Sequence, residues 1–183
     1  MVLLVPYLVG IPVRLGRLPV DVPEPYSPLA PDDMHLTLLY VGNLAAREAE
    51  LVAAALRGVA ARRVPFTVTL SGVAPLPSWR RPRYLALLVA RGLEQLVSLR
   101  ADVLEAVARL GVSPRDRHLH DFRPHVTFAA TRARPRDVPL ATLERLVRRG
   151  RTVKVDVLVA ELALFDSSGG RVRPVASYSL RRR

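Results

Sequence analysis

Apolar residues recur along this chain with two different periods, and the changes of period separate predicted strands from predicted helices. Continuous or alternating apolar stretches predict strands at VLLVPYLVGIPV, MHLTLLYVG, PFTVTLSGV, YLALLVA, HVTFAATR and SYSLR, with one long strand that bends midway at TVKVDVLVAELALFDS. Helical spacing predicts amphipathic helices over residues 45–62, 92–111 and 136–150. The chain therefore mixes strands and helices throughout its length.

Proline-rich and polar stretches mark the connections. PVDVPEPYSPLAPDD holds too many prolines for a regular element, APLPSWRRPR is rich in turn residues, and VSPRDRHLHDFRP is polar. Gly169 and Gly170 predict a hairpin turn and not a phosphate loop, because no GxxxxGK or GxGxxG surrounds them. Two of these loops lead directly into the strands MHLTLLYVG and HVTFAATR.

The order of elements predicts an α+β fold with an approximate internal repeat. Short connections and hairpin-like pairings favour antiparallel sheets with flanking helices over a parallel sheet. We expect residues 1–183 to form a single bilobal domain, with lobe-related halves 1–80 and 81–183 and a boundary near Trp79. Strands are allowed to cross over between the lobes.

Composition narrows the class of protein. A chain of 183 residues with half of them hydrophobic can bury a substantial core, and it contains no cysteine. The absence of cysteine excludes disulfides, thiolate catalysis and cysteine-ligated zinc. The apolar start lacks the features of a signal peptide, and no stretch reaches the length of a membrane span. We expect a cytoplasmic protein without a membrane partner.

The charge is strongly positive and is carried almost wholly by arginine. Lysine and arginine number 28 against 16 acidic residues, a net charge of +12, and Lys154 is the one lysine. Arginine binds phosphate with a planar fork and stacks on bases, which favours a polyanionic partner such as RNA. Arginine-rich usage spread over solvated faces is the alternative, and the charge alone does not locate a site.

A histidine–x–threonine motif occurs twice, once in each half of the chain. Because side chains alternate along a strand, His35 and Thr37 share one face, and so do His125 and Thr127. An imidazole can move a proton near neutral pH, and a hydroxyl can donate to a phosphate oxygen. Two such pairs facing each other across a cleft would supply an acid, a base and two phosphate donors without a metal.

These motifs, HLTLLYVG and RPHVTFAATR, resemble those of the two-histidine phosphoesterases. Within that superfamily the chain resembles the RNA 2',3'-cyclic phosphodiesterases, historically called 2'-5' RNA ligases. The resemblance extends over almost the whole chain, because YLVGIP, RPRYLALLV and LALFDSSGG followed by ASYSL also match the pattern of that family. It implies a bilobal fold with a pseudo-twofold axis, in which two antiparallel sheets with flanking helices surround a central groove.

The resemblance also implies the roles of the motif residues. His35 would be the general acid that protonates the leaving 3' oxygen of a 2',3'-cyclic phosphate, and His125 the general base that activates water. The product would be a 2'-phosphate end. Thr37 and Thr127 would bind phosphate oxygens. The partner would be RNA ends with a 2',3'-cyclic phosphate, no cofactor or metal would take part, and the protein would be a monomer without an obligate protein partner.

One position departs from the family pattern. Close relatives often place an arginine five positions after the second histidine, where it aids nucleotide binding, and here that position is Ala130. Arg132 lies two positions after Ala130 and shares the strand face of that position if the strand continues, and Arg123, two positions before His125, is the rival. Both are therefore candidates for the missing contact.

Further candidates for RNA contact lie in the loops. Trp79 and Arg81 stand in SWRRPRY, a composition that suits stacking and phosphate contact, although a turn with solvated arginines explains it equally well. Tyr26 either stacks on a base or pins its loop to the core. His118 and His120 are interpreted as a solvated loop pair and not as metal ligands.

Three other functions use the same features. Joining of RNA ends through a 2'-5' linkage would share the site, and a phosphodiesterase for small cyclic nucleotides would not need a charge of +12. A noncatalytic RNA-binding module could retain the groove. The intact pair of motifs favours an enzyme.

Overall fold

The computed structural model describes residues 4–18 and 20–181 of the chain. Within them the strands are β1 (Val5–Pro12), β2 (Ser27–Pro28), β3 (His35–Leu44), β4 (Phe66–Ser78), β5 (Arg81–Arg91), β6 (His125–Ala130), β7 (Lys154–Val159), β8 (Glu161–Asp166) and β9 (Arg173–Ser179). The helices are α1 (Ala46–Ala60), α2 (Leu93–Arg109) and α3 (Leu140–Gly150). None of the described helices is long and apolar enough to cross a membrane.

The strands form one antiparallel sheet that consists of two matching halves. Its order is β7-β4-β5-β6-β3-β1-β8-β9, with the short β2 paired to β6. The halves meet where β3 pairs with β6 at a single position, Leu36 with Val126. α1 packs against β8 in one half and α3 against β4 in the other, so the helices also repeat. The predicted α+β class with antiparallel strands and flanking helices is confirmed, but the two predicted sheets are joined into one through the pairing of β3 with β6.

The strand β3 contains an irregularity just after its histidine motif. β1 pairs Gly10 with Thr37 and Val9 with Leu39, which leaves Leu38 as an extra residue in β3. Such a bulge bends a strand and increases its twist. Leu38 and Leu39 are both buried as a result, because the bulge places two successive side chains toward the core.

The strand β6 contains the same irregularity at the same distance from its own histidine. β5 pairs Ala86 with Thr127 and Leu85 with Ala129, which leaves Phe128 as the extra residue. Phe128 and Ala129 are both buried. The repeat therefore extends beyond the two sequence motifs to the backbone that carries them.

The apolar faces of the helices cover the convex side of the sheet. α1 and α2 each bury one face of apolar residues at helical spacing. In α1 this face includes Val52, and Leu51, which the helical spacing also predicts for it, is exposed. The two helices pack on the inward residues of the strands in one continuous cluster, which includes Val52, Leu56, Val59, Leu96, Leu99, Val103, Leu36 and Val126. The helices thereby cover one face of the sheet, and the opposite face carries the histidine motifs.

The halves of the sheet differ from the predicted halves of the chain. The division between residues 80 and 81 falls in the turn of the β4–β5 hairpin, whose strands pair from Thr69 to Ser78. One half of the sheet combines β1 and β3 with β8 and β9, while the middle of the chain supplies most of the other. The strands therefore cross over to such an extent that residues 1–80 are not a structural unit.

The long bent strand predicted near the C-terminus is two strands. β7 ends at Val159 and β8 begins at Glu161, and the two belong to opposite halves of the sheet. β7 pairs with β4, whereas β8 pairs with β1 and β9. The apolar alternation continues through both strands because each packs on the same core, so the sequence pattern hides the break at Ala160.

Two predicted ends of strands are also wrong. β4 continues through Pro75 and Pro77, although APLPSWRRPR predicts a turn there. The pairing of β4 with β7 stops at Ser71, so these prolines lie where β4 pairs only with β5 and a missing backbone N–H is tolerated. β3 continues past Gly42 to Leu44. Gly42 adopts a φ of 100°, which lets the strand pass an irregularity in its pairing with β1 instead of ending there.

Candidate active site

The two histidine motifs lie next to each other at the junction of the sheet halves. Leu36 and Val126 pair across the junction, and both are buried in the core. Because side chains alternate along a strand, the residues on either side of this pair face the opposite, concave surface. His35 and His125 are therefore on one face, and both are only partly buried.

The threonines complete an arrangement that is nearly symmetric. Thr37 and Thr127 are partly buried, like the histidines, and face the same side. In an antiparallel pair, one step along each strand from the matched position brings the next residues opposite each other. His35 is thus placed toward Thr127, and Thr37 toward His125. The groove receives one imidazole and one hydroxyl from each half.

Each histidine is oriented by a backbone carbonyl two residues before it. His35 Nδ1 lies 2.9 Å from the Asp33 carbonyl oxygen, and His125 Nδ1 lies 2.8 Å from that of Arg123. A carbonyl only accepts, so Nδ1 must carry the proton and donate it in both rings. Nε2 is then the atom of each ring that remains to exchange a proton with a bound group. Both imidazoles therefore have the same tautomer, with the proton on Nδ1 and with Nε2 free of this contact.

The surroundings of the two rings nevertheless differ. Burial lowers the pKa of His35; its hydrogen bond to the Asp33 carbonyl opposes this, and the charge of the nearby His125 lowers the pKa further. The Phe165 ring of β8 lies with its centroid 5.2 Å from that of His35. The free protein therefore favours the neutral form of His35 at neutral pH. LALFDS predicts the strand, but not that Phe165 reaches the histidine.

The two candidate arginines occupy different positions. Arg123 Nε is 2.9 Å from an Asp121 carboxylate oxygen, and the Arg123 side chain is highly exposed. Its demonstrated contact with the site is made by its carbonyl, not by its guanidinium. β6 ends at Ala130, so the strand does not continue to Arg132 and the predicted sharing of a strand face with Ala130 is not met. Arg132 is exposed in the following loop.

Tyr26 pins its loop and is not available to stack on a base. Its side chain is 5% exposed, and its hydroxyl donates to the Pro82 carbonyl of β5. Burial raises the pKa of Tyr26 to about 12. Of the two interpretations offered by the sequence, the structure supports pinning, because a buried ring has no free face.

Trp79 and Arg81 lie at the tip of the β4–β5 hairpin. Trp79 is 46% exposed, and Arg81 begins β5 with an exposed side chain. Further along β5, Tyr84 is 44% exposed and pairs with Ala130 at the end of the second histidine strand. The exposed aromatic residues and the arginine are therefore carried by the strand that adjoins His125.

The loop that contains His118 and His120 is organised by carboxylates. Asp116 accepts a hydrogen bond from the His118 backbone N–H at 2.7 Å, and Asp121 pairs with Arg123. Within residues 4–18 and 20–181, no group of three or more potential metal-binding side chains comes together. The loop carboxylates serve as acceptors for backbone and arginine donors.

A sheet of two matching halves with a histidine–x–threonine motif in each is the arrangement expected of a two-histidine phosphoesterase. The family profile described as the 2'-5' RNA ligase superfamily matches residues 22–171. The chain belongs to this superfamily. Its relatives include the RNA 2',3'-cyclic phosphodiesterase of Aquifex aeolicus strain VF5, 30% identical over 146 residues that cover 79% of this chain and 74% of the relative.

Other comparisons agree on the family and the fold. The RNA 2',3'-cyclic phosphodiesterase of Aeropyrum pernix is 28% identical over 166 residues, which cover 88% of this chain and 90% of the relative. Among solved structures, a phosphoesterase matches with a TM-score of 0.68 at 23% identity, covering 98% of this chain and 99% of its own. E. coli LigT complexed with 3'-AMP matches with a TM-score of 0.66 at 21% identity, with the same coverage. At these identities the solved structures establish the fold.

We expect His35 to titrate below its ordinary pKa of 6.5, and removal of the neighbouring charge in His125→Asn to raise that pKa. The reason is that protonated His125 disfavours a second positive charge nearby. NMR titration of the histidine side chains measures both values. His120→Asn, in the exposed loop, is the control and should leave His35 unchanged. A His35 pKa at or above 6.5, or one that does not respond to His125→Asn, would contradict this electrostatic description.

Proposed function

We propose that the protein is a cytoplasmic, monomeric RNA 2',3'-cyclic phosphodiesterase, which opens the terminal cyclic phosphate to a 2'-phosphate. The observation that carries the proposal is the pair of histidines on β3 and β6. In each, Nδ1–H donates a hydrogen bond to a backbone carbonyl oxygen, and Nε2 is left to exchange a proton. Relatives at 30% and 28% identity that bear this name support it. Both histidines come from one chain, so the reaction requires no second subunit.

In the proposed reaction, a water molecule attacks phosphorus opposite the 3' oxygen. A bond forms between the water oxygen and phosphorus while the bond from phosphorus to the 3' oxygen breaks. His125 Nε2 accepts the proton of the water, and His35 Nε2 gives its proton to the 3' oxygen. The hydroxyls of Thr37 and Thr127 donate to the non-bridging phosphate oxygens, where negative charge is concentrated.

The lowered pKa of His35 is relevant to its role as the acid. In the free protein, burial and the charge of His125 disfavour protonated His35. A bound phosphate diester carries a negative charge beside the ring and favours the protonated form. Substrate binding thus supplies the condition under which His35 can donate. The division of acid and base roles also explains why the histidine–x–threonine motif occurs twice, because displacement at phosphorus needs proton transfer at both the entering and the leaving oxygen.

The same site accommodates the alternative in which RNA ends are joined. A 5'-hydroxyl that attacks in place of water would lose its proton to His125, and the product would contain a 2'-5' linkage. The name of the superfamily, 2'-5' RNA ligase, favours this as a second activity. Water is far more concentrated than free ends, so we propose hydrolysis as the main reaction.

We expect wild type, in the presence of EDTA, to convert a short RNA ending in a 2',3'-cyclic phosphate into one ending in a 2'-phosphate. His35→Ala and His125→Ala should each lower kcat by at least about a hundredfold, because each removes one proton transfer. The ends are resolved by electrophoresis and by their sensitivity to phosphatase. Binding of the RNA without turnover would instead indicate a noncatalytic RNA-binding module. A 3'-phosphate product would contradict the direction of ring opening.

RNA, and not a small cyclic nucleotide, is the substrate that the surface beside β6 favours. Trp79 and Tyr84 expose aromatic rings that suit stacking on bases, and Arg81 offers a guanidinium for phosphate. The Thr131 backbone N–H donates to the Arg83 carbonyl at 2.9 Å, which attaches the loop bearing Arg132 to the same strand. We propose that nucleotides preceding the cyclic end contact this surface.

We expect the double variant Trp79→Ala with Arg81→Gln to lower kcat/KM for the oligonucleotide about tenfold, since both stacking and a phosphate contact are lost. Its kcat/KM for a mononucleotide 2',3'-cyclic phosphate should stay within about twofold, because that substrate has no preceding nucleotide. The matched control is Arg148→Gln, which removes an exposed arginine of α3. Equal losses on both substrates, or no loss on the oligonucleotide, would exclude the hairpin as an RNA contact.

A further inference from the structure

Arg100 is a buried charged residue on the core-facing side of α2. It is 7% exposed and is the one charged side chain buried in the described part of the chain. Its neighbours on that face of α2 are apolar, with Leu96, Leu99 and Val103 fully buried. A charge withdrawn from water is unfavourable unless hydrogen-bond partners and opposite charges compensate it. The partners of Arg100 therefore indicate what this group does.

The guanidinium contacts the strand that carries His35 and the loop that precedes the strand of His125. Arg100 Nε donates to the Leu38 carbonyl at 2.8 Å, in the bulge of β3 three residues after His35. Its two terminal nitrogens donate to the carbonyls of Leu119 and His118, both at 3.2 Å. The segment 116–122 that contains these acceptors leads into β6. One planar group thus connects the first histidine strand to the loop before the second.

Two further contacts fix the same connection. The Arg100 guanidinium lies 4.7 Å from the centroid of the Phe122 ring, within the range of a cation–π contact. Asp116 lies 3.7 Å from the guanidinium, and its carboxylate accepts the backbone N–H of Tyr40 at 3.2 Å and that of His118 at 2.7 Å. Segment 116–122 is therefore attached to β3 through both Arg100 and Asp116.

This attachment bears on His125 because the direct connection between the histidine strands is short. β3 and β6 pair at a single position. The carbonyl that orients His125 belongs to Arg123, which immediately follows the attached segment. Any shift of segment 116–122 relative to β3 would move that carbonyl, and with it the ring that it orients.

We propose that Arg100 is a positioning residue that sets the orientation of His125 relative to His35 by fastening segment 116–122 to β3. The inference rests on the acid/base function proposed above for the two histidines. Arg100 itself does not reach the reacting atoms. It acts through segment 116–122, which Arg123 immediately follows, so its removal should affect His125 more than His35.

The test compares two arginine-to-lysine variants. One changes Arg100 within α2, and the other changes Arg63, which lies outside α2 and contacts Asp102 of that helix. Lysine keeps the charge of Arg100 but has no planar fork, so it cannot satisfy three carbonyls in the same geometry. Arg100→Lys should lower kcat for the cyclic-phosphate oligonucleotide about ten- to a hundredfold, with KM within about twofold, because misplaced groups slow the chemical step. The control is Arg63→Lys, which alters an arginine–carboxylate contact with Asp102 of the same helix, away from the groove.

A second readout is independent of turnover. In Arg100→Lys, the side-chain nitrogen shifts of His125 should change in NMR spectra more than those of His35, whose ring is oriented by the Asp33 carbonyl outside the attachment. Asp116→Asn removes the charge at the other end of the attachment and should change the same His125 signals, which keeps the test available if Arg100→Lys does not fold. Because the NMR readout needs no activity, it tests the proposal even if the chain hydrolyses no cyclic phosphate. A lower melting temperature with unchanged kcat and unchanged His125 signals would show that Arg100 only stabilises the fold.

Discussion

The pairing of Leu36 with Val126 is the contact on which the rest of the site depends. It joins the two halves of the sheet, and it determines which face of each strand meets the core. With these two side chains buried, alternation along the strands sends both histidines and both threonines to the concave face. A shift of either strand by one residue would bury the motif and expose the apolar residues. Packing of the core therefore also determines that the histidines and threonines face the site.

The near-symmetry of the fold produces a site that is not symmetric in its electrostatics. Matching strands, bulges and carbonyl contacts prepare the two imidazoles alike. The half of the sheet that contains β8 places Phe165 against His35, and burial there lowers the pKa of His35. The repeat supplies two imidazoles, and the difference in their surroundings favours the neutral form of His35 in the free protein. In the proposed reaction the negative charge of the bound phosphate reverses this preference and lets His35 act as the acid.

Local periodicity predicted much of this arrangement from the sequence. The α+β class, the three helices and the common face of each histidine–threonine pair follow from alternation and helical spacing alone. The split between β7 and β8 does not follow from them, because apolar alternation continues through Ala160 although the chain crosses to the other half of the sheet. The approximate division near residue 80 does not coincide with the two halves of the sheet for the same reason, because the tertiary structure determines which strands pair and the sequence indicates only the strands.

The carbonyl contacts of the histidines and the role of Arg100 could not be predicted from the sequence. A backbone acceptor has no signature in a sequence, and the attachment of segment 116–122 joins residues far apart in the chain. The sequence does contain one signal of this attachment, because Arg100 interrupts the otherwise apolar face of α2. A charged residue at such a position needs partners, and here they are three carbonyls, a carboxylate and an aromatic ring.

The central claim is that His35 and His125 divide the acid and base roles, and the pH dependence of kcat/KM tests it most directly. Wild type should give a bell-shaped profile for a cyclic-phosphate RNA. Activity that requires protonated His35 falls as pH rises, so His35→Ala should abolish the alkaline limb; activity that requires neutral His125 falls as pH drops, so His125→Ala should abolish the acidic limb. Residual activity that keeps both limbs in either single variant would contradict the account.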